Sequence, residues 1–151
     1  MRVGLMADSH DRLPAMAELV KQMQERGVGF ILHAGDFSAP FALQPFFDAQ
    51  VPVGGVFGRN DGDQEGLRAK AAQAMGIEIF ESPHSFDLNG TRMLIVHGCT
   101  HQRSEQRRGS ALIINPGEAC GWLTGTPSAA VLDLDTMSVE WLALEGPEWK
   151  R

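Results

Sequence analysis

Four apolar segments of this chain each end in a short run of small and polar residues, and this repeated pattern constrains the fold more than any other feature. The runs are Asp8-Ser9-His10, Gly35-Asp36, Gly58-Arg59-Asn60-Asp61 and His97-Gly98-Cys99-Thr100-His101. In an α/β sheet, ligands bind in the crevice outside the carboxyl ends of the strands. Loops that are distant in sequence converge at that edge, so we expect the four runs to share one crevice.

Strands and helices alternate in the first half of the chain, and strands predominate in the second half. The predicted strands of the first half are 3–7, 30–32 and 53–57, and the predicted helices are 13–26, 39–47 and 67–75, the last with Asp63 as its cap. Asn89-Gly90 predicts a tight hairpin whose second strand continues to residue 96, and further strands are predicted at 112–114, 129–134 and 138–144. Residues 102–110 are polar and basic, and they are interpreted as a loop. The pattern predicts one α/β domain over residues 1–151.

Composition excludes several classes of protein. The chain has 151 residues, enough to bury a core without disulfide bonds, and its two cysteines form no C-x-x-C pair. Its net charge of −6, from 13 basic and 19 acidic residues, argues against general nucleic-acid binding, because that affinity comes from lysine and arginine neutralising phosphates. No apolar run approaches the roughly 20 residues that a transmembrane helix needs. We therefore expect a cytoplasmic globular protein without a membrane or nucleic-acid partner.

Carboxylates and imidazoles gathered in one crevice predict a metal site. Asp8, His10, Asp36 and the histidines of the fourth run offer oxygen and nitrogen donors, which suit manganese, iron, zinc or nickel. Each run by itself is weak evidence, since Asp-Ser-His after a strand is also common turn or helix-capping chemistry. Their joint occurrence at strand ends is more specific. A metal in the crevice would lower the pKa of a bound water and neutralise charge on a phosphoryl oxygen.

These residues resemble the calcineurin-like metallophosphoesterase superfamily, in particular the small bacterial and archaeal phosphodiesterases, which also resemble a scaffold subunit of the retromer coat. The resemblance covers nearly the whole chain. The matching segments are Asp8-Ser9-His10-Asp11, His33-Ala34-Gly35-Asp36, Gly58-Arg59-Asn60-Asp61-Gly62, His97-Gly98-Cys99-Thr100-His101 and Ile114-Asn115-Pro116-Gly117-Glu118. The resemblance implies a four-layer α/β/β/α sandwich of sheets flanked by helices, two metal ions and hydrolysis of phosphate esters.

The resemblance also implies roles for individual residues at the first metal. That metal would take Asp8, His10, Asp36 and His101, all of which are present in this chain. Asp36 would in addition bridge to the second metal. By this comparison the first metal site is complete.

Three departures from the family pattern fall on the second metal site. Arg59 stands where the family has a metal-binding Asn, so that Asn60 comes one place later, and Cys99 replaces a metal-binding His. One helix and one strand that the family has before its last histidine motif are absent, because one strand serves for two. His97 then matches either a second-metal ligand, which is the interpretation adopted here, or merely the residue before the last histidine motif. Cys99 is another candidate ligand if it binds as a thiolate.

Arg59 and Asn60 are the candidate catalytic residues, since either one would hold a phosphate oxygen. The Arg59 guanidinium either replaces the second metal, where it would neutralise Asp36 and grip a phosphate with two N–H groups, or faces the solvent from a turn. Cys99 either ligates a metal or is a small buried residue at a strand end. The histidine with which the family protonates the leaving group has no counterpart, because Asn60 stands in its place.

We expect a metal-dependent phosphoesterase (a phosphodiesterase or phosphatase) that hydrolyses phosphodiesters or phosphomonoesters with a metal-activated water. Manganese is the expected ion, with iron, zinc, nickel and magnesium as alternatives, and the partner is a small phosphate ester. The alternative is a weakly active or inactive relative that serves as a protein-interaction module, which the altered second site and the absent helix and strand support. The same absence exposes a sheet edge, so self-association into a homo-oligomer is a further expectation.

Overall fold

The computed structural model describes residues 1–74 and 76–150. These residues form three α-helices, a 3-10 turn and ten strands. The helices are α1 (Leu13–Glu25), α2 (Gln44–Ala49) and α3 (Gln64–Ala71), and the 3-10 turn at Pro40–Leu43 leads directly into α2. The strands are β1 (Arg2–Met6), β2 (Val28–His33), β3 (Val53–Val56), β4 (Ile77–Phe80), β5 (His84–Leu88), β6 (Thr91–Ile95), β7 (Arg103–Arg108), β8 (Ala111–Pro116), β9 (Ser128–Asp133) and β10 (Ser138–Ala143).

Six strands form the central sheet, in the order β10-β9-β1-β2-β3-β4. The strands β1 to β4 run parallel to one another, and β9 is antiparallel to both β1 and β10. The carboxyl ends of β1, β2 and β3 therefore lie side by side at one edge of the sheet. The predicted strands of the first half are confirmed. Strand β4 has no counterpart among the predictions, although the alternation of buried Ile77 and Ile79 with exposed Glu78 is a strand signal.

Helices cover one face of the central sheet, and hairpins cover the other. On the helical face, side chains such as Met16, Phe46 and Leu67 form the larger apolar core. On the opposite face, apolar residues of β1, β2 and β9 pack against the hairpins β5–β6 and β7–β8 through side chains such as Phe86 and Leu112. The predicted mixed α/β fold is confirmed. Within the described chain it has three layers, because the outer helical layer of the expected sandwich is missing.

The helices begin where the sequence indicates. Pro14 lies in the first turn of α1, where the N–H that proline lacks would have no helical partner. In α3 the cap is Asp63, whose carboxylate accepts a hydrogen bond of 2.9 Å from the Gly66 N–H. This helix ends at Ala71, before its predicted end, and Met75 lies outside the described residues. No helix in the described ranges is both long and apolar enough to span a membrane.

The prediction of a loop at 102–110 is wrong, because Arg103–Arg108 is strand β7 and pairs antiparallel with β8. All six residues of β7 are exposed, so the strand lacks the apolar alternation from which a sequence predicts strands. Its backbone is held by β8, whose Leu112 and Ile114 pack on the central sheet. The hairpin predicted at Asn89-Gly90 is confirmed as β5–β6.

The second layer is shorter than a complete sandwich sheet. No helix or strand lies between Ile95 and Arg103 in the described chain, so β6 leads straight into the run of residues that ends in His101. The hairpins β5–β6 and β7–β8 form separate two-stranded sheets. Their outer faces leave Leu94 and Ile113 exposed, at 61 % and 46 %.

Candidate metal centre

The loops after β1 and β2 are joined by hydrogen bonds at the carboxyl edge of the sheet. The Asp8 N–H donates to the Gly35 carbonyl at 3.0 Å, and the His10 N–H donates to the Asp36 carbonyl at 2.9 Å. These bonds follow from the parallel pairing of the two strands, which places their ends side by side. The first two polar runs of the sequence therefore form one structural unit.

Asp8, His10 and Asp36 together form a cluster with the donor atoms of a metal site. One ligand atom from each residue lies within 4.8 Å of the other two. Both aspartates are only 2 % exposed. The Oδ1 atom of Asp8 is buried and has no hydrogen-bond partner within the described part of the chain. A buried carboxylate oxygen without a partner is costly, and a cation bound there would satisfy it.

Two further histidines lie beside these carboxylates. His97 Nε2 is 3.6 Å from Asp36 Oδ1, and His10 Nε2 is 3.9 Å from the other oxygen of Asp36, so imidazoles flank both sides of that carboxylate. His101 Nδ1 is 3.9 Å from Asp8 Oδ2. His101 thus lies beside Asp8 but outside the group of three, and His97 lies on the opposite side of Asp36 from His10.

The protein anchors one ring nitrogen of each of these histidines. His10 Nδ1 is 3.1 Å from Ser38 Oγ, and His97 Nδ1 donates to the Ala34 carbonyl at 2.8 Å. His101 Nδ1 is 3.0 Å from a carboxylate oxygen of Glu118. A carbonyl can only accept, so His97 carries its proton on Nδ1 when the ring is neutral, and its Nε2 lone pair faces Asp36. Anchoring of the second nitrogen is the usual environment of a metal-binding histidine.

Left-handed backbone conformations are concentrated in this cluster. The φ angles are 50° at Asp8, 46° at His10, 62° at Asp36 and 58° at His101. Such angles are unfavourable for residues with a side chain, although less so for aspartate, and they persist where surrounding contacts hold them. Strained residues of this kind collect at functional sites. The backbone conformation therefore indicates a functional site at the same place as the side chains do.

Electrostatics at the cluster favour a bound cation. Burial raises the pKa of Asp8 to about 6, although His101 acts to lower it. Burial also acts to raise the pKa of Asp36, but hydrogen bonds from the backbone and side chain of Asn60 outweigh it, and this pKa is lowered. Two carboxylates this close repel each other when both are ionised. Their oxygens, the imidazole nitrogens and the unpartnered Asp8 Oδ1 fit a divalent metal ion.

Asp61 holds the backbone around Asp36. Its carboxylate accepts hydrogen bonds from the N–H groups of Asp36 (3.1 Å), Ser38 (2.7 Å) and Gly58 (2.8 Å). Only 4 % of Asp61 is exposed, so these bonds are shielded from water. Asp61 thereby fixes the loop after β2 against the loop after β3.

His33 supports the same loops from beneath. It is fully buried, its ring stacks on Phe37 with centroids 3.8 Å apart, and its Nε2 is 2.8 Å from Ser9 Oγ. Burial lowers its pKa to about 3, so the ring is neutral. The Gly35 N–H donates to its Nδ1, which leaves the proton on Nε2 to bond Ser9. His33 is therefore a packing residue under the site.

Glu118 is a site residue that the sequence analysis did not single out for a role. It is fully buried, and one of its carboxylate oxygens bonds His101 while the other accepts from the N–H of Leu123 and Thr124. Burial acts to raise its pKa, but the hydrogen bonds from Thr124, His101 and Leu123 lower it overall. The sequence signal was its place directly after Asn115-Pro116-Gly117, one of the segments that match the family.

Of the remaining candidate residues in the third and fourth polar runs, one reaches the metal cluster and two are exposed. Asn60 reaches the site: its N–H and its side-chain amide each donate to Asp36, both at 2.9 Å. Arg59 is exposed and makes no hydrogen bond or ion pair with any residue of 1–74 and 76–150. Of the two interpretations of Arg59, the structure favours the solvent-facing one, because Asn60 already occupies the Asp36 oxygens. Cys99 is also exposed and has no such bond within the described chain, so its interpretation as a small buried residue is wrong.

Comparison with known proteins agrees with the fold and the position of the cluster. The model of the calcineurin-like phosphoesterase superfamily domain matches residues 1–99 and 88–137. The two matches share residues 88–99, the stretch that contains β6 and His97.

A named archaeal relative matches over its full length. Phosphodiesterase MJ0936 of Methanocaldococcus jannaschii is 26 % identical over 166 residues, which cover 96 % of this chain and all of the relative. That length exceeds the 151 residues of this chain, so the relative has segments that this chain lacks.

Solved structures show the same fold. The structure of an archaeal phosphodiesterase superposes with a TM-score of 0.89 at 26 % identity, covering 95 % of this chain and all of the other. The E. coli phosphoesterase Yfce superposes with a TM-score of 0.68 at 17 % identity (96 % and 100 % covered), and Vps29 of Chaetomium thermophilum with 0.62 at 13 % (97 % and 100 %). Since the family model spans most of the sequence, the chain belongs to the calcineurin-like phosphoesterase superfamily.

Proposed function

We propose that residues 1–151 form one domain that acts as a metal-dependent phosphoesterase on phosphodiesters or phosphomonoesters. The observation that carries the proposal is the cluster of Asp8, His10 and Asp36, in which a buried Asp8 oxygen lacks a partner. The name of the archaeal relative, a phosphodiesterase, supports the choice of reaction. The cytoplasm as its location and manganese as its ion belong to the same proposal.

The first ion would be held by Asp8, His10 and Asp36, with His101 beside them. Asp36 has a second imidazole on its other oxygen, that of His97, and this pair would contribute to a second ion. Divalent ions bound there supply Lewis acidity, which lowers the pKa of water and neutralises charge on a phosphoryl oxygen. Cys99, which is exposed, remains a candidate for the second ion.

The other residues of the chain would bind and orient the substrate. Asn60 presents an amide at the rim of the cluster, where it would hold a phosphate oxygen next to Asp36. Arg59 extends into solvent one residue earlier, and its guanidinium would contact the same phosphate once a substrate enters. Glu118 and Ser38 orient the rings of His101 and His10 through their Nδ1 atoms.

A metal count and a diesterase assay test the proposal together. The purified protein, supplied with Mn²⁺, is expected to bind the ion and to hydrolyse a chromogenic phosphodiester. Asp36→Asn should lose both properties, whereas Asp48→Asn, on the exposed side of α2, should keep them. If the wild-type protein binds Mn²⁺ but hydrolyses no phosphate ester, the proposal that it is an enzyme is contradicted.

The second candidate is a protein-interaction module, favoured by the exposed outer faces of the two hairpins. Leu94 and Ile113 are exposed on these faces, Val96 is exposed directly after β6, and the likeness to Vps29 is one of fold alone. In this second candidate function, the partner that binds the exposed hairpin face is a second copy of the same chain. Light scattering at micromolar concentration decides it: a monomer contradicts self-association, and a dimer that Leu94→Lys dissociates supports it.

A further inference from the structure

The loop Ala119–Thr126 is bonded directly to the end of β1 beside the metal cluster. The Ala119 N–H donates to the Ala7 carbonyl at 2.8 Å, and the Cys120 N–H donates to the Asp8 carbonyl at 3.1 Å. Arg12 donates to the Cys120 carbonyl at 2.5 Å. The first half of this loop therefore moves only if the backbone of Asp8 moves with it.

Glu118 fixes the second half of the loop. One carboxylate oxygen accepts from the N–H of Leu123 (2.7 Å), and from the N–H (2.6 Å) and hydroxyl (2.9 Å) of Thr124. The turn closes with a bond of 3.0 Å from the Gly125 N–H to the Gly121 carbonyl. Gly121 has a φ of 65°, and a Cβ there would lie 2.3 Å from the Pro127 nitrogen, so the turn requires glycine. The loop is thus a preorganised element.

The loop presents two large apolar side chains at the cluster. The Trp122 ring lies beside His10, with centroids 5.7 Å apart and planes inclined by 21°, and His10 is in turn nearly parallel to His101. Leu123, the next residue, is 76 % exposed. A single exposed leucine is ordinary in a soluble protein, but here it adjoins an indole that a rigid loop places against a candidate metal ligand.

We propose that Trp122 and Leu123 form the binding surface for an aromatic organic group of the phosphate ester. This inference rests on the proposed function, because it takes the phosphate to lie at Asp8, His10 and Asp36. The Trp122 side chain is only partly buried, so its indole can pack against an aryl ring or a nucleobase of an ester whose phosphate lies at the cluster, and such contacts have a preferred geometry. Because the loop is already held in place, little ordering is lost when the ester binds. The site is therefore expected to prefer aromatic esters to small alkyl ones.

Calorimetric titration of the Mn²⁺-loaded protein with phenylphosphonate and methylphosphonate tests the preference without turnover. Wild-type protein is expected to bind the phenyl compound about tenfold more tightly than the methyl compound. Trp122→Ala should bring the two affinities together at an unchanged metal content, while Trp122→Phe should keep most of the difference. Leu123→Ala should weaken binding of the phenyl compound alone. Leu94→Ala, at a leucine that is also exposed but lies on the hairpin face, should change neither affinity.

The outcomes separate the two proposals. Equal affinities of wild-type protein for both compounds, or a preference that survives Trp122→Ala, would overturn the aromatic surface and leave the phosphoesterase intact. Failure of Mn²⁺-loaded protein to bind either phosphonate would overturn the phosphate site, and with it this inference. On turnover, Trp122→Ala should raise KM for an aryl diester with little change in kcat, since the ring contacts the substrate group and not the reacting phosphorus.

Discussion

Replacing Asp61 should show how strongly the loops of the metal centre depend on one buried carboxylate. Three N–H groups, those of Asp36, Ser38 and Gly58, donate to it over 2.7–3.1 Å. A hydrogen bond to a charged group contributes about 1.5–3 kcal/mol, and buried donors left without a partner cost a comparable amount. Water entering the vacated space would satisfy some of these donors, so we expect Asp61→Ala to lower the free energy of unfolding by about 3–5 kcal/mol.

Urea denaturation in the presence of EDTA measures this loss without a contribution from metal binding. Asp63→Ala is the matched control, because this nearby aspartate makes a single exposed cap bond with Gly66 and should cost about 1 kcal/mol. Asp61→Asn keeps the side-chain shape and one acceptor oxygen, so its loss in the free energy of unfolding should lie between those of Asp61→Ala and Asp63→Ala. If Asp61→Ala destabilises the protein no more than Asp63→Ala, the three bonds do not hold the loops as described.

Three further predictions concern the site. Glu118→Gln should lower the Mn²⁺ affinity about 10- to 100-fold, because it removes the charged partner of His101; an unchanged dissociation constant would rule out that positioning role. His97→Ala should reduce the Mn²⁺ bound per chain while Cys99→Ser leaves it unchanged, since His97 Nε2 lies 3.6 Å from Asp36 and Cys99 is exposed; metal analysis showing the reverse pattern would assign the second site to the cysteine. Arg59→Ala should change the free energy of unfolding by less than about 0.5 kcal/mol, because the side chain is exposed and unpaired within the described chain, and a larger loss in urea denaturation would reveal a structural contact.

Strand ends were the part of the molecule that the sequence predicted well. Apolar runs that stop at Asp8 and Asp36 belong to parallel neighbours, so their polar ends meet by topology alone. The cap at Asp63 and the hairpin at Asn89-Gly90 depend on local chemistry, and both are present. The strand β7 was not predicted because its six exposed residues have no apolar alternation, and it is their pairing with β8 that makes them a strand.

Long-range contacts explain what the sequence left open at the site. Asp61 acts on Asp36 across 25 residues, and Glu118 acts on His101 across 17, and neither pairing has a local signature. The position of Arg59 depends on one turn after β3, in which Asn60 and not Arg59 points to Asp36. A shift of one residue in such a turn exchanges the inward and outward side chains, and spacing alone does not resolve it.

Crystals grown with Mn²⁺ test the central claim most directly, through the anomalous scattering of the ion. We predict a strong anomalous peak between the side chains of Asp8, His10 and Asp36, with Asp8 Oδ1 among its ligands, and a second, weaker peak between Asp36 and His97. Folded protein at saturating Mn²⁺ with no peak at the first position would contradict the account.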